Sequence, residues 1–216
     1  MSLRKPAKDQ PENFEFNQDS LAAAKEIISN YPDGKQQSAV MALLYIAQKQ
    51  KDDQPTKLNV ICTHNSRRSH IGQLWLSVAA LFYHKNKIHT FSGGTEATAF
   101  NYRSVAALRR AGFEIKTADS SVENPIYLST FNFSQAPLKM FSKKYDHAEN
   151  PQREFAAIMV CSDADESCPV ILGAENRFVL TFNDPKHFDD TDLESKKYDE
   201  RVRQIGREMF YVMSRV

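Results

Sequence analysis

From Leu58 onward, short apolar runs alternate with stretches of helical periodicity, and that alternation admits few architectures. LNVICT (58–63) reads as a short strand, and IGQLWLSVAALFYH, within 68–84, as a buried amphipathic helix. KIHTFS (87–92) is a second strand, after which Gly93-Gly94 turns the chain into the helix NYRSVAALRRAGF (101–113). EFAAIMVCS (154–162) and RFVLTF (177–182) supply a third and a fourth strand, and RVRQIGREMFYVMSRV (201–216) a closing helix. EFAAIMVCS is apolar nearly throughout, as a central strand covered on both faces must be. Strands joined through helices run parallel. The predicted fold class is therefore α/β, a three-layer sandwich around a central parallel four-stranded sheet.

The rest of the chain is read as additions to that unit. Residues 1–16 are polar, carry two prolines and read as a disordered lead. Residues 17–56 form an N-terminal helical extension: Asp19-Ser20 caps LAAAKEIISN, Tyr31-Pro32-Asp33-Gly34 turns, and KQQSAVMALLYIAQKQK has apolar residues at helical spacing. The charged connector KDDQPTK marks the boundary, so the main domain spans 57–216. Within it, about 121–150 is an insert, with NPIYLSTFNFSQAPLKMFSKKY (124–145) alternating like a β-hairpin.

With 28 Lys+Arg against 27 Asp+Glu, the charge balance gives no reason to expect nucleic acid or an anionic membrane as partner. The longest unbroken apolar run, Ala39 to Ala47, is less than half of what a bilayer requires, and the N-terminus lacks an apolar signal segment. A cytoplasmic location is the expectation. Lys143-Lys144 and Arg109-Arg110 read as solvated faces, and Trp75, Phe82 and Tyr83 as core.

The chain has three cysteines, Cys62, Cys161 and Cys168. An odd count without an export signal argues against a disulfide scaffold, and the absence of any CxxC pair or histidine ligand spacing argues against a metal site. Cys62-Thr63-His64-Asn65-Ser66-Arg67-Arg68-Ser69 begins where a buried strand ends and stops where a helix begins. Backbone N–H groups of such a loop and of the first helical turn can cradle a tetrahedral oxyanion. They and a nearby guanidinium favour the thiolate of Cys62. Arg68 offers a planar fork for two anion oxygens, and Ser69 can donate to the sulfur or cap the helix. Cys161 and Cys168 bracket SDADES, read as an exposed mobile loop, although Cys161 could equally end a core strand. Asp184, in an Asp-Pro turn after RFVLTF, could be a solvated turn former. Cys62, Cys161 and Asp184 nonetheless all fall at or after strand C-terminal ends, where loops of a parallel sheet converge on one site.

CTHNSRRS after an apolar strand resembles the phosphate-binding loop of low-molecular-weight protein tyrosine phosphatases and of the thioredoxin-coupled arsenate reductases built on the same fold. FSGGTEATAFNYRSVAALRRAGFEI is similar to that family's second strand, Gly-Thr-Glu turn and following helix, and FNDPKHFDD to its Asp-Pro loop. VCSDADESCPV is similar to the redox segment that the reductases carry and the phosphatases lack. The resemblance implies arsenate reduction with Cys62 as nucleophile, Arg68 and the loop 63–69 as oxyanion holders, and Asp184 as general acid. It further implies a relay in which Cys161 attacks Cys62 and Cys168 then attacks Cys161. A thioredoxin-like dithiol protein would restore the thiols, with no tightly bound cofactor.

Three positions depart from that pattern. His64 stands where the relatives carry glycine, at a position that can demand a positive φ. Gln73 replaces a glutamate that takes part in potassium binding in some reductases, so no potassium dependence is expected. Lys186-His187 replaces the tyrosines that stack a phosphotyrosine. YPDGKQQSAVMALLYIAQKQ in the extension is similar to the helical lead of the thioredoxin-like iron–sulfur subunit of NADH:quinone oxidoreductases. The competing readings are a phosphomonoester hydrolase whose cysteine pair protects Cys62, and a redox-sensing interaction protein.

Overall fold

The computed structural model describes residues 45, 46, 49, 52–119, 123–131, 136–167 and 170–214. The lead 1–16, most of the extension and Cys168 lie outside the described residues. The elements are β1 (Thr56–Cys62), α1 (Arg68–Phe82), β2 (Ile88–Gly94), α2 (Tyr102–Arg110), β3 (Glu114–Asp119), β4 (Ile126–Thr130) and β5 (Leu138–Met140). They continue with β6 (Phe155–Met159), α3 (Ser162–Ser167), β7 (Ala174–Val179), a 3-10 turn at Pro185–Phe188 and α4 (Glu194–Ser214). Among the described residues no helix is long and apolar enough to cross a membrane.

The central sheet has the order β2-β1-β6-β7 and is parallel throughout, as the alternation predicts. Every residue of β6 is buried, and β1 is buried at all positions but one, so these two strands form the middle of the core. The chain leaves β1 through α1 to reach β2 on one side, and leaves β6 through α3 to reach β7 on the other. The two connections diverge, which opens a crevice at the C-terminal ends of β1 and β6. Cys62 ends β1, and Cys161 follows β6 by two residues.

α1 packs against β1, β2 and α4, and almost its whole circumference is covered. Trp75 is its centre: it meets Phe113 edge-on at 4.9 Å and Phe210 at 5.9 Å. Phe82 and Tyr83 pack at the core's margin, as expected. From the extension, Ile46 is fully buried in the core, and Tyr45 donates its hydroxyl to Glu175 on β7 at 2.7 Å. Burial and Glu175 raise the Tyr45 pKa.

Several boundaries differ from the sequence reading. The 124–145 hairpin exists as β4 and β5, but it belongs to a three-stranded antiparallel sheet whose other edge is β3. β3 was hidden because α2 stops early: Gly112 adopts φ 95°, a left-handed turn that ends the helix and starts a strand. Gly93 and Gly94 are not a turn but the last residues of β2. RFVLTF begins too late, because β7 runs over Ala174–Val179, and α4 starts at Glu194 rather than Arg201. SDADES is not an exposed loop but helix α3: Asp163 and Asp165 complement the positive end of its first turn, and Ala164 is buried.

Trp75→Ala removes the largest fully buried side chain, and no neighbour can fill the space without moving a helix. Urea unfolding should show a loss of about 3–5 kcal/mol, and a loss below 1 kcal/mol would contradict this account of the core.

Candidate active site

The loop 63–67 is held in place by its carbonyls. Thr95 donates its N–H to the Cys62 carbonyl at 3.1 Å, and Glu96 donates to that of Thr63 at 2.8 Å. The Ser142 hydroxyl donates to the His64 carbonyl at 2.8 Å, and Asn101 N–H donates to that of Ser66 at 2.9 Å. In a planar trans peptide the carbonyl and the following N–H point in opposite directions. Tying these four carbonyls to surrounding segments therefore turns the N–H groups of Thr63, His64, Asn65 and Arg67 to the other side. Among the described residues, no backbone N–H from His64 to Ser69 finds an acceptor in the chain. A row of free donors at the start of a 15-residue helix has the geometry to cradle an anion.

The close approach that this requires is made at Gly94. A Cβ there would lie 2.6 Å from the Thr63 carbonyl oxygen and 2.7 Å from the Asn65 nitrogen. Glycine inside a strand is a sign of such an approach, and it could have been read from the sequence.

Cys62 is 4% exposed and its Sγ lies 3.0 Å from Ser69 Oγ. The direction of that contact follows from its neighbours. Lys143 donates its backbone N–H to Asn65 Oδ1 at 2.9 Å, which fixes the amide orientation. Asn65 Nδ2 then donates to Ser69 Oγ at 2.8 Å, leaving the serine hydrogen for the sulfur. Of the two uses the sequence allows Ser69, donation to Cys62 is the one present; α1 has no side-chain cap. The positive φ of the loop falls on Asn65, at 44°, and not on His64. Asparagine tolerates that region through its short polar side chain. His64 instead lies at the mouth, half-exposed, 3.5 Å from Glu96.

The two adjacent arginines do different work. Arg68 is buried, donating through Nη1 to the Phe182 carbonyl at 2.8 Å and through Nη2 to Asp184 Oδ2 at 2.7 Å. Its Nε is buried and has no acceptor among the described residues. Asp184 Oδ1 accepts the Lys186 N–H at 3.0 Å, capping the 3-10 turn, so the carboxylate reaches the site through Arg68. Arg67 was expected to join the oxyanion holders, but its guanidinium points elsewhere. Nε donates to Tyr198 at 2.8 Å, and Nη2 bonds Asp189 at 3.0 Å. Tyr198 donates in turn to Asp189 Oδ1 at 2.7 Å. Arg67 therefore fastens the Asp-Pro segment to α4, and only its backbone faces the cradle.

Cys161 is fully buried, and its Sγ lies 3.4 Å from Thr63 Oγ1, beside the cradle. Cys62 and Cys161 are both free thiols. Ser92, Gln73 and His70 form a buried polar cluster under the loop: Ser92 Oγ donates to Gln73 Oε1 at 2.6 Å and contacts His70 Nδ1 at 3.3 Å. Burial first, and then the Lys143 ammonium, hold the His70 pKa well below its usual value.

Lys143, read as a solvated face, is 5% exposed. The segment after β5 turns it inward, where its ammonium sits 4.7 Å from the Phe141 ring centre. Desolvation pushes its pKa down to about 8, against partial support from Glu149. Lys144, Arg109 and Arg110 are exposed, as read, with Arg109 donating to the Ile115 carbonyl and Arg110 pairing with Asp199.

Two measurements check this geometry. Gly94→Ala should displace the loop and cut phosphate protection of Cys62 against alkylation by at least about tenfold, which is 1.4 kcal/mol; unchanged protection would mean the strand does not set the loop. For Lys143, the folded pKa of about 8 lies below the unfolded one of 10.5. Below pH 8 both states are protonated and the burial cost is complete. Between 8 and 10.5 the unfolded state binds more protons, so stability rises with pH. Lys143→Met should be more stable than the parent at pH 7 by on the order of 2 kcal/mol, with the gap closing towards pH 10.5. A constant gap across that window would contradict the buried charge.

No protein-family model matches the chain. It is 26% identical to an arsenate reductase from Bacillus licheniformis over 147 residues, which cover 68% of this chain and 86% of the relative. It is 24% identical to an arsenate reductase from Bacillus subtilis (strain 168) over 150 residues, covering 69% and 88%. A separate match of 52 residues, 46% identical, is to a subunit of the NADH-quinone oxidoreductase of Rhizobium meliloti (strain 1021), and spans 23% of this chain and 19% of that protein. Among solved structures, a low-molecular-weight phosphotyrosine phosphatase from Vibrio cholerae O395 aligns with a TM-score of 0.49 at 14% identity, covering 73% of this chain and 93% of its own. Over about two thirds of its length, the chain is thus similar in sequence to bacterial arsenate reductases.

Proposed function

We propose that the chain reduces arsenate to arsenite in the cytoplasm, using Cys62 as nucleophile and Cys161 and Cys168 as a disulfide relay. The observation that carries this reading is the second buried free thiol, Cys161, beside the loop that holds Cys62. The chemical step of phosphoester hydrolysis needs no second thiol. Similarity to two arsenate reductases supports the same choice.

Arsenate binds in the cradle, its oxygens held by the N–H groups of 63–69 and by Arg68, whose unpaired Nε is available to it. The Cys62 thiolate attacks arsenic, and an arsenic–oxygen bond breaks as Asp184 protonates the departing oxygen. Asp184 must turn away from Arg68 to do so. Cys161 then attacks the Cys62 sulfur: a disulfide forms, the sulfur–arsenic bond breaks, and its electron pair stays on arsenic, which leaves as arsenite. Cys168 attacks Cys161, making the Cys161–Cys168 disulfide and releasing Cys62 as thiolate. A thioredoxin-like dithiol protein reduces that bridge by exchange, so no bound cofactor is required.

α3 separates the two cysteines, and six helical residues span about 9 Å. A disulfide requires Cα atoms less than about 7 Å apart. Unwinding of α3 is the motion that would bring Cys168 to Cys161, and Arg177 on β7 bonds α3 at Asp165.

The cradle itself accepts phosphate as well as arsenate, so the decisive test uses both. Arsenate-dependent NADPH oxidation with thioredoxin and thioredoxin reductase should proceed in the parent and vanish in Cys161→Ser. Slow aryl phosphate hydrolysis should survive in both. Brisk hydrolysis in both proteins with no response to arsenate would make the protein a phosphatase and the cysteine pair protective.

A further inference from the structure

The inserted sheet ends in a segment that the proposed chemistry does not use. Residues 141–145 leave β5 and run beside the end of β2, with Gly94 N–H donating to the Lys143 carbonyl at 2.9 Å and Tyr145 N–H to the Gly94 carbonyl at 2.8 Å. Ser142 lies at the centre of this segment and is 2% exposed. Its hydroxyl accepts the Thr98 N–H at 2.8 Å, which leaves its hydrogen for the His64 carbonyl, also at 2.8 Å. Its backbone is clasped by one side-chain amide: Asn124 Oδ1 accepts the Ser142 N–H at 3.0 Å, and Asn124 Nδ2 donates to the Ser142 carbonyl at 2.7 Å. The next residue supplies the N–H that orients Asn65, and through Asn65 the hydroxyl of Ser69.

We infer that Ser142, held by Asn124, is a positioning residue that sets the direction of the Asn65 N–H in the anion cradle, so the insert is part of the active site's scaffold. The inference rests on the reading that Cys62 works inside an oxyanion loop. The argument is one of peptide geometry. The His64 carbonyl and the Asn65 N–H belong to the same trans peptide and point in opposite directions. The Ser142 hydroxyl is the shortest bond to that carbonyl, the other being Thr98 Oγ1 at 3.3 Å. Without Ser142, the peptide can rotate and the donor leaves the anion, while the sulfur and Arg68 stay where they are. Asn65 is also the left-handed residue of the loop, at φ 44°, so its conformation needs an external hold.

The test reads anion binding and not turnover. Cys62 is alkylated with iodoacetamide, its labelling is followed by peptide mass spectrometry, and inorganic phosphate is titrated as protectant. Ser142→Ala and Asn124→Ala should each need about tenfold more phosphate for half-protection, the worth of one hydrogen bond, and Ser142→Thr should restore the parent value. Ser129→Ala is the control: Ser129 lies in β4 of the same sheet, is buried, and makes no side-chain hydrogen bond to the loop. It should leave protection unchanged even if it alters thermal stability. If phosphate does not protect the parent, the oxyanion-loop reading itself fails. If it protects the parent and both alanine variants equally, or if both variants lose cooperative unfolding, the positioning role is overturned and the insert is structural only.

Discussion

The site depends on a property of every peptide bond: the carbonyl and the following N–H cannot point the same way. A loop that offers several N–H groups to an anion must therefore find other partners for its carbonyls. Here those partners come from three places, the segment after β2, the start of α2 and the end of the inserted sheet. Gly94 is what lets the first of them come close enough, since any side chain would collide with Thr63 and Asn65. The parallel sheet supplies the rest of the arrangement by bringing the ends of β1 and β6 together where their connections diverge.

Electrostatics divides the labour among neighbouring cations. Arg68 turns into the site and holds Asp184, whereas Arg67, one residue earlier, turns to Tyr198 and Asp189 and anchors the segment from which Asp184 projects. Arg103 extends that anchor to Glu194 at the start of α4. The general acid proposed for the reaction is thus placed by one arginine and its backbone by two others. Lys143 is a different case: a cation buried beside an aromatic ring, supported in part by Glu149, next to the loop after β1. Its position costs stability and adds positive potential in the same region.

The thiols are arranged for restraint as much as for reaction. Cys62 and Cys161 are both buried in the resting protein, one bonded by Ser69 and the other by Thr63. Burial keeps both sulfurs away from bulk solvent. SDADES, directly after Cys161, folds as helix α3, with Ala164 buried.

Much of this was legible in the residues. The apolar runs of β1 and β6, the helical stripe of α1 and the break at Cys62 determine a parallel α/β sheet with a cysteine at a strand end, because burial on both faces leaves no other use for such runs. Trp75 in the core follows from the same periodicity, and Ser69 near the sulfur from its place where the loop after Cys62 meets the helix. What the residue order could not determine was decided by contacts between distant segments. β3 emerged only because Gly112 stops α2, and Lys143 became buried because the insert folds back over the loop. Arg67 turned its guanidinium to Asp189, 122 positions away. The shift of positive φ from His64 to Asn65 depends on Lys143 and Ser142, which lie 78 positions from the residues they hold. Local pattern encodes which face of an element is buried. The partner of each carbonyl and each guanidinium is chosen only when the whole chain has closed around it.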